Sequence, residues 1–282
     1  MIAHVPRPER ADAVGLVGIG HLTDFVATRL LDAGRRLVLL DRDQQQTRRY
    51  VARGAGEVAN AFYLTSAVDT VLLDLPDVHA LESVMEGPEG VLSALAPGQL
   101  VINLGASLPS SDRRLAALVA ARGGQMLDAP LIRHGEQLMA PVGGSPDAFQ
   151  RAGPLLELLA QRVVHVGPSG FGQLTKLLDQ MLQAARTVAM AEGISFARRV
   201  GLDSALTADL LDLRGAEPML QGAFDGHGEL RQHTRDLGYA LEVAQEAGLL
   251  APLTAMTHES YTAVAAHGES SWQEAAIIRY WE

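Results

Sequence analysis

The chain has no cysteine. Disulfides, thiolate catalysis and cysteine-ligated metals are therefore excluded. It is also short of positive charge: 23 lysines and arginines stand against 33 aspartates and glutamates, giving a formal net charge of -10. Nucleic acids and anionic membranes reward clustered positive charge, so neither is expected as the main partner. A small anionic substrate needs only a local cationic pocket and stays open. Long apolar runs are missing too, and the stretch from Met1 to Ala13, with Pro6 and Pro8, has no apolar targeting core. A cytoplasmic protein without a membrane span is the expectation. No His-x-x-x-His pair or carboxylate cluster points to a metal.

The most informative scarcity is lysine. Lys176 is the only one, and every other basic residue of the Lys/Arg class is arginine. Arginine serves surface charge well but holds its proton throughout the working pH range. A single surviving lysine marks either a place where a titratable amine is required or an accident of biased coding, and its position must decide.

What is present is enough for two moderate domains: 282 residues, of which 48% are hydrophobic and 20% charged. The first part alternates short apolar runs with helical patterns, as βαβ units do. Ala13 to Ile19 is an apolar run, and Leu22 to Ala33 carries a helical stripe closed by Gly34. Strands are expected at Arg36 to Leu40, Thr70 to Leu73, Leu100 to Leu104, Gln125 to Leu127, Leu138 to Val142 and Val163 to Val166. Helices are expected at Val78 to Met85, Ser111 to Ala121 and Phe149 to Leu159. Beyond Gly172 strand signals stop. Gln173 to Arg199 reads as one long helix, followed by helices at Ala205 to Leu213, Glu229 to Ala247 and Pro252 to Ala266. The fold class is thus α/β: a doubly wound Rossmann sheet over residues 1–167, then an all-helical domain over 168–282, joined by a long helix.

Gly18-Ile19-Gly20 sits between the first strand and its helix, where a phosphate-binding turn belongs. The first glycine permits the turn, and the second admits a pyrophosphate to the helix N-terminus beside His21 and Leu22. Thr23 replaces the third glycine of the G-x-G-x-x-G pattern. Asp41 ends the second strand about 20 residues on, where a carboxylate bonds adenosine ribose hydroxyls and selects NAD. Arg42 beside it could hold a 2′-phosphate, which keeps NADP open.

In order along the chain come GLVGIGHL at Gly15 to Leu22, LLDLPD at Leu72 to Asp77, LDAP at Leu127 to Pro130 and GFGQLTK at Gly170 to Lys176. RDLGYALEVA at Arg235 to Ala244 and PLTAMTHESY at Pro252 to Tyr261 follow. This series resembles the β-hydroxyacid dehydrogenase family, which includes 3-hydroxyisobutyrate dehydrogenase and, more distantly, 6-phosphogluconate dehydrogenase. The resemblance runs from Gly15 to Glu282. It implies an NAD(P)-binding Rossmann domain, a helical domain that pairs into homodimers or homotetramers, and an active site in the interdomain cleft. It places Lys176 on the family's catalytic lysine, so position favours the required amine. It also implies that Leu75, Pro76 and Ala106 line the cofactor.

A hydroxy acid oxidised by such an enzyme gives hydride to the nicotinamide and its hydroxyl proton to the lysine. Gln180, one helical turn on, stands where the family has an asparagine that orients substrate. Asp179 either tunes the lysine or is a solvated helix charge. The departures cluster at substrate recognition. After LDAP the family's Ser-Gly-Gly is replaced by Leu131-Ile132-Arg133-His134 on what reads as a shortened loop. Arg133 is either a bidentate grip on an anion or a surface arginine, and His134 either a ligand contact or loop filler. Ser107 partly substitutes for a Ser-Thr pair near the nicotinamide, and Arg235-Asp236 stands for the family's Lys-Asp. The expected reaction is a β-hydroxy acid and its aldehyde or keto form interconverted with NAD(P). Two alternatives are an imine reductase, a type that usually lacks the lysine, and a dinucleotide-binding protein without turnover.

Overall fold

The computed structural model describes residues 13–20, 24–135, 137–226, 228–269 and 271–282. The chain divides into two compact units, Met1–Lys176 and Leu177–Glu282.

The first unit is built on a sheet of β1 (Ala13–Val17), β2 (Arg36–Leu40), β3 (Gly56–Glu57), β4 (Thr70–Leu73), β5 (Leu100–Asn103), β6 (Gln125–Asp128), β7 (Ile132–His134), β8 (Gln137–Gly143) and β9 (Arg162–Gly167). Its order is β3-β2-β1-β4-β5-β6-β8-β7, with β9 paired to β8. The first six positions are parallel. β8 then runs antiparallel to β6 and forms a hairpin with β7. Helices α1 (Asp24–Asp32), α2 (Gln44–Val51), α3 (Ala61–Ala67), α4 (Val78–Glu86), α5 (Val91–Ala94), α6 (Pro109–Ala120) and α7 (Pro146–Leu159) make the crossovers.

Strand alternation assigns each residue to one of two cores. Val14, Leu16, Leu37, Leu39, Leu72, Leu100, Ile102 and Leu127 pack with α1, Tyr50 and α7. Ala13, Val17, Val38, Val71, Leu73, Val101 and Met126 pack with α3, α4, α5 and α6. Both faces are therefore covered, as a parallel sheet requires, and each fully buried leucine contributes about 1.5–3 kcal/mol. Side-chain caps start several helices: Asp43 on α2, Asn60 on α3, Asp77 on α4 and Ser145 on α7 each accept backbone N–H groups of the first turn.

Some elements differ from the sequence expectation. The segment after LDAP is not an open loop, because Ile132 to His134 pairs with Met139 to Gln137 as a short hairpin strand. β1 ends at Val17, where the left-handed Gly18 (φ +83°) turns the chain away, as the expected turn between the first strand and its helix requires. α2, α3, α5 and β3 are additional, being too short or too polar for a periodic signal.

The second unit begins inside α8 (Phe171–Arg199), and α9 (Ser204–Leu210), α10 (Glu217–Gln221), α11 (Glu229–Glu246), α12 (Pro252–His267) and a terminal 3-10 helix (Glu274–Tyr280) follow. Ala184, Ala191, Ile194, Leu230, Leu237, Tyr261, Val264 and Ala275 to Ile278 form its core, with Trp272 and Trp281 packed against it. No described helix is long and apolar enough to cross a membrane.

A buried polar group holds this core together. The Tyr261 hydroxyl donates to Glu274 Oε1 at 2.7 Å, and His233 Nδ1 lies 3.3 Å from the same oxygen. Burial alone would push Glu274 up, but the His233 charge, with hydrogen bonds from His233, Tyr261 and Thr187, outweighs it and holds the carboxyl at about 2. Its stabilisation is full above the ordinary value of 4.5 and is lost as pH falls through 2. Glu274→Gln is expected to remove that acid-range loss, worth about 3 kcal/mol at most. Urea midpoints for the two proteins should converge as pH falls from neutral to 2. Curves that stay parallel would refute the assignment.

Candidate active site

Loops that leave the carboxyl ends of β1, β4, β5 and β6 gather on one edge of the sheet. The strand order reverses between β1 and β4, the switch point at which open α/β sheets bind ligands. At β1, the Gly18 N–H donates to Leu40 O at 2.9 Å, and Asp24 N–H reaches back to Gly20 O at 2.9 Å as α1 begins. Asp41, at the end of β2, turns its carboxylate onto this bend: Oδ2 accepts the Ile19 N–H at 2.6 Å and Oδ1 accepts that of Asp43 at 2.6 Å. Arg42 is exposed beside it. His21 and Leu22, and Thr23 with them, lie outside the described residues. After β4, Leu75 is half-buried and Pro76 exposed.

The loop after β5 is clamped from below. Gln173, fully buried, donates through Nε2 to Gly105 O at 2.8 Å and accepts the Ser107 N–H on Oε1 at 3.2 Å. Ala106 between them is buried. Ser107 is not turned toward a ligand. Its hydroxyl is fully buried, donates to Asp112 and accepts from Asn103 Nδ2 at 3.0 Å. The hydroxyl is thus occupied within the protein, and this position offers a substrate no side-chain group.

Below the loop lies a pair of buried carboxyl groups that the sequence did not single out. Asp112 is pushed up to about 7 by burial, with the Asp128 charge adding to the rise. Asp128 is raised as well, again by burial first. Asp128 accepts the backbone N–H groups of Gly170 at 2.7 Å and Gln173 at 3.0 Å, and so fixes the start of α8 against the end of β6. A β-carbon on Gly143 or Gly172 would collide with Asp128, which explains the glycines there.

That anchoring sets the position of Lys176. The lysine is half-buried in the first turns of α8, and its Nζ donates to Leu131 O at 3.3 Å. It therefore stands at the carboxyl edge of the sheet, at the head of the hairpin that carries Arg133 and His134. Both of those side chains are exposed, whereas Ile132 before them is buried. The other predicted residues belong to the second unit. Gln180, one turn beyond Lys176 on α8, is buried with no hydrogen-bond partner for its Oε1. Asp179 accepts from Gln183 Nε2 at 2.8 Å. Asp236 is buried and holds Arg235 through Nε and an Nη at 2.9 and 2.6 Å. No group of described histidines and carboxylates has the composition of a metal site.

The glycine turn fits a dinucleotide. Gly18 adopts a φ of +83°, which side-chain-bearing residues resist, and the turn lies at the switch point of the sheet, where open α/β folds bind ligands. Residues 13–167 match the family model of the NAD binding domain of 6-phosphogluconate dehydrogenase. Residues 170–281 match the family model described as NAD-binding of NADP-dependent 3-hydroxyisobutyrate dehydrogenase. The chain is 29% identical to the 2-hydroxy-3-oxopropionate reductase of Escherichia coli K12, covering 94% of this chain and 96% of that one. It is 26% identical to the 2-(hydroxymethyl)glutarate dehydrogenase of Eubacterium barkeri, covering 97% and 96%. The structure of Mycobacterium tuberculosis 3-hydroxyisobutyrate dehydrogenase with L-serine shares the fold, with a TM-score of 0.86 at 23% identity over 95% of this chain and 98% of that one. With both models matched in order along nearly its whole length, the chain belongs to the β-hydroxyacid dehydrogenase family.

Proposed function

We propose that the protein is an NAD(P)-dependent oxidoreductase that interconverts a small β-hydroxy acid and its aldehyde or keto form. The observation that carries this reading is the placement of the only lysine, anchored through Asp128 at the sheet edge where the glycine turn also opens. Gly18, Ile19, Gly20, Asp41 and the loops at Leu75, Pro76 and Ala106 would hold the dinucleotide, whose nicotinamide exchanges a hydride with the carbinol carbon. Lys176 Nζ, uncharged when it acts as base, takes the hydroxyl proton as the C–H electron pair leaves, and returns it in the reverse direction. Its bond to Leu131 O keeps one N–H engaged at the head of the hairpin. Gln180, with an amide oxygen free of any partner among the described residues, orients the substrate from one turn away, and Arg133 is the guanidinium that the hairpin supplies for an anionic group.

The deciding experiment mixes the purified protein with NAD or NADP and a panel of short β-hydroxy acids, sulfonates and phosphonates, and follows absorbance of the reduced nicotinamide. Turnover of at least one hydroxy acid is expected. Reduction of cyclic imines alone would replace this reading by an imine reductase, and tight cofactor binding with no turnover on any panel would leave a binding protein.

A homodimer or homotetramer goes with this reading. In the second unit Leu249, Leu250, Leu253, Met256 and Ala263 are exposed, Leu250 by 91%. Light scattering on the eluting protein is expected to give two or four times the 30.0 kDa chain mass, and a monomer would contradict it.

A further inference from the structure

The glycine turn already holds a carboxylate. Asp74, the residue after β4, accepts the Gly20 N–H on Oδ2 at 3.0 Å across 54 positions of sequence. Three glycines make room for it. A β-carbon on Gly18 would collide with the Asp74 carbonyl, and one on Gly20 would collide with its carboxylate. One on Gly105 would sit 3.4 Å from Oδ1 and 3.0 Å from Leu75 O. With Asp41 on the Ile19 N–H, two successive amides of the turn are engaged by carboxylates of the chain itself.

A backbone N–H at this turn, just ahead of a helix N-terminus, is the type of donor a pyrophosphate uses. We propose that Asp74 is an internal stand-in for that anion: its carboxylate occupies a donor the dinucleotide needs, so the cofactor must displace it, and the residue sets cofactor affinity. The inference rests on the dinucleotide reading of the preceding subsection and deepens it. The reason is electrostatic. A carboxylate and a diphosphate within one turn repel each other, and part of the binding energy goes into moving the side chain out. Without cofactor the same carboxylate stabilises the chain, because it satisfies the Gly20 donor.

This predicts effects of opposite sign in the two states. Asp74→Asn, which keeps the shape and removes the charge, is expected to bind NADH about tenfold tighter or more. The same variant without ligand is expected to melt lower than the wild type. Asp74→Ser, shorter and neutral, should follow the same order and supplies a second test if the asparagine variant folds poorly. Isothermal titration with NADH, NADPH and adenosine separates the outcomes. Adenosine carries no phosphate, so its affinity should be unchanged. Equal NADH affinity in wild type and variants overturns the role of Asp74 and leaves the dinucleotide reading intact. Tightening of adenosine to the same degree as NADH also overturns it, since the turn would then have opened without regard to charge. If neither wild type nor variants bind any dinucleotide, the functional reading itself fails, and this inference with it.

Discussion

Lys176→Ala is expected to lower turnover by about a hundred- to ten-thousandfold, the usual contribution of a positioned proton-transfer group. Dinucleotide affinity should be nearly unchanged, because Lys176 lies on α8 and touches Leu131 O rather than the glycine turn. Lys176→Arg is the sharper variant. It keeps the positive charge and donors for Leu131 O, yet a guanidinium does not give up its proton in a working pH range. If the lysine only attracts an anionic substrate, the arginine variant keeps most activity and the alanine variant loses it through KM. If the lysine moves the proton, both variants lose kcat alike. Small primary amines added to the alanine variant should then restore part of the rate, increasingly with the fraction of free base. Turnover by Lys176→Ala close to that of the wild type would end the assignment.

Much of the first unit was legible in the sequence, because strands buried on both faces leave short apolar runs. The strand expected at Thr70 to Leu73 has those bounds in the structure, and the one expected at Leu100 to Leu104 ends one residue earlier, at Asn103. α2 escaped notice because its sequence, QQQTRRYV, buries only Thr47 and Tyr50 and carries no apolar stripe. β7 escaped because it exists by pairing with β8, and two of its three residues face solvent. The candidate site divides along the same line. Lys176 could be picked out from composition and motif, and Gly18, Gly20 and Asp41 from local spacing. Asp74 could not, since its partner Gly20 is distant in sequence and LLDLPD reads as a strand running into a turn. Ser107 was expected to face the ligand, and only the tertiary structure reveals that Asp112 and Asn103 turn it inward. Local pattern reports which backbone is helical or extended. Which polar side chains end up facing one another is a property of topology.

Asp112 gives the largest expected effect of pH on the first unit, and its sign follows from burial. The carboxyl is fully buried with Asp128 nearby, and burial, followed by the Asp128 charge, raises it from 3.8 to about 7. Between those values the folded protein holds a proton that the unfolded chain has released. Stability is therefore highest below the unfolded value, declines as pH rises toward about 7, and levels off above it. The full span is worth about 4 kcal/mol at most, a large share of a typical domain's stability. Asp112→Asn should abolish this decline. Its amide carbonyl can still accept from Asn103 Nδ2 and its amide N–H can still donate to Ser107 Oγ, so little else is lost. Urea midpoints for the two proteins should lie close together near pH 4 and separate steadily toward pH 8, with the asparagine variant the more stable. The loop from Gly105 to Ser107 should report the same titration through hydrogen exchange, because Asp112 holds the Ser107 side chain and Gln173 its amide. A wild-type midpoint that does not fall across this range would show that Asp112 ionises without cost. The strain placed here on the buried carboxyl pair beneath the loop would then be absent.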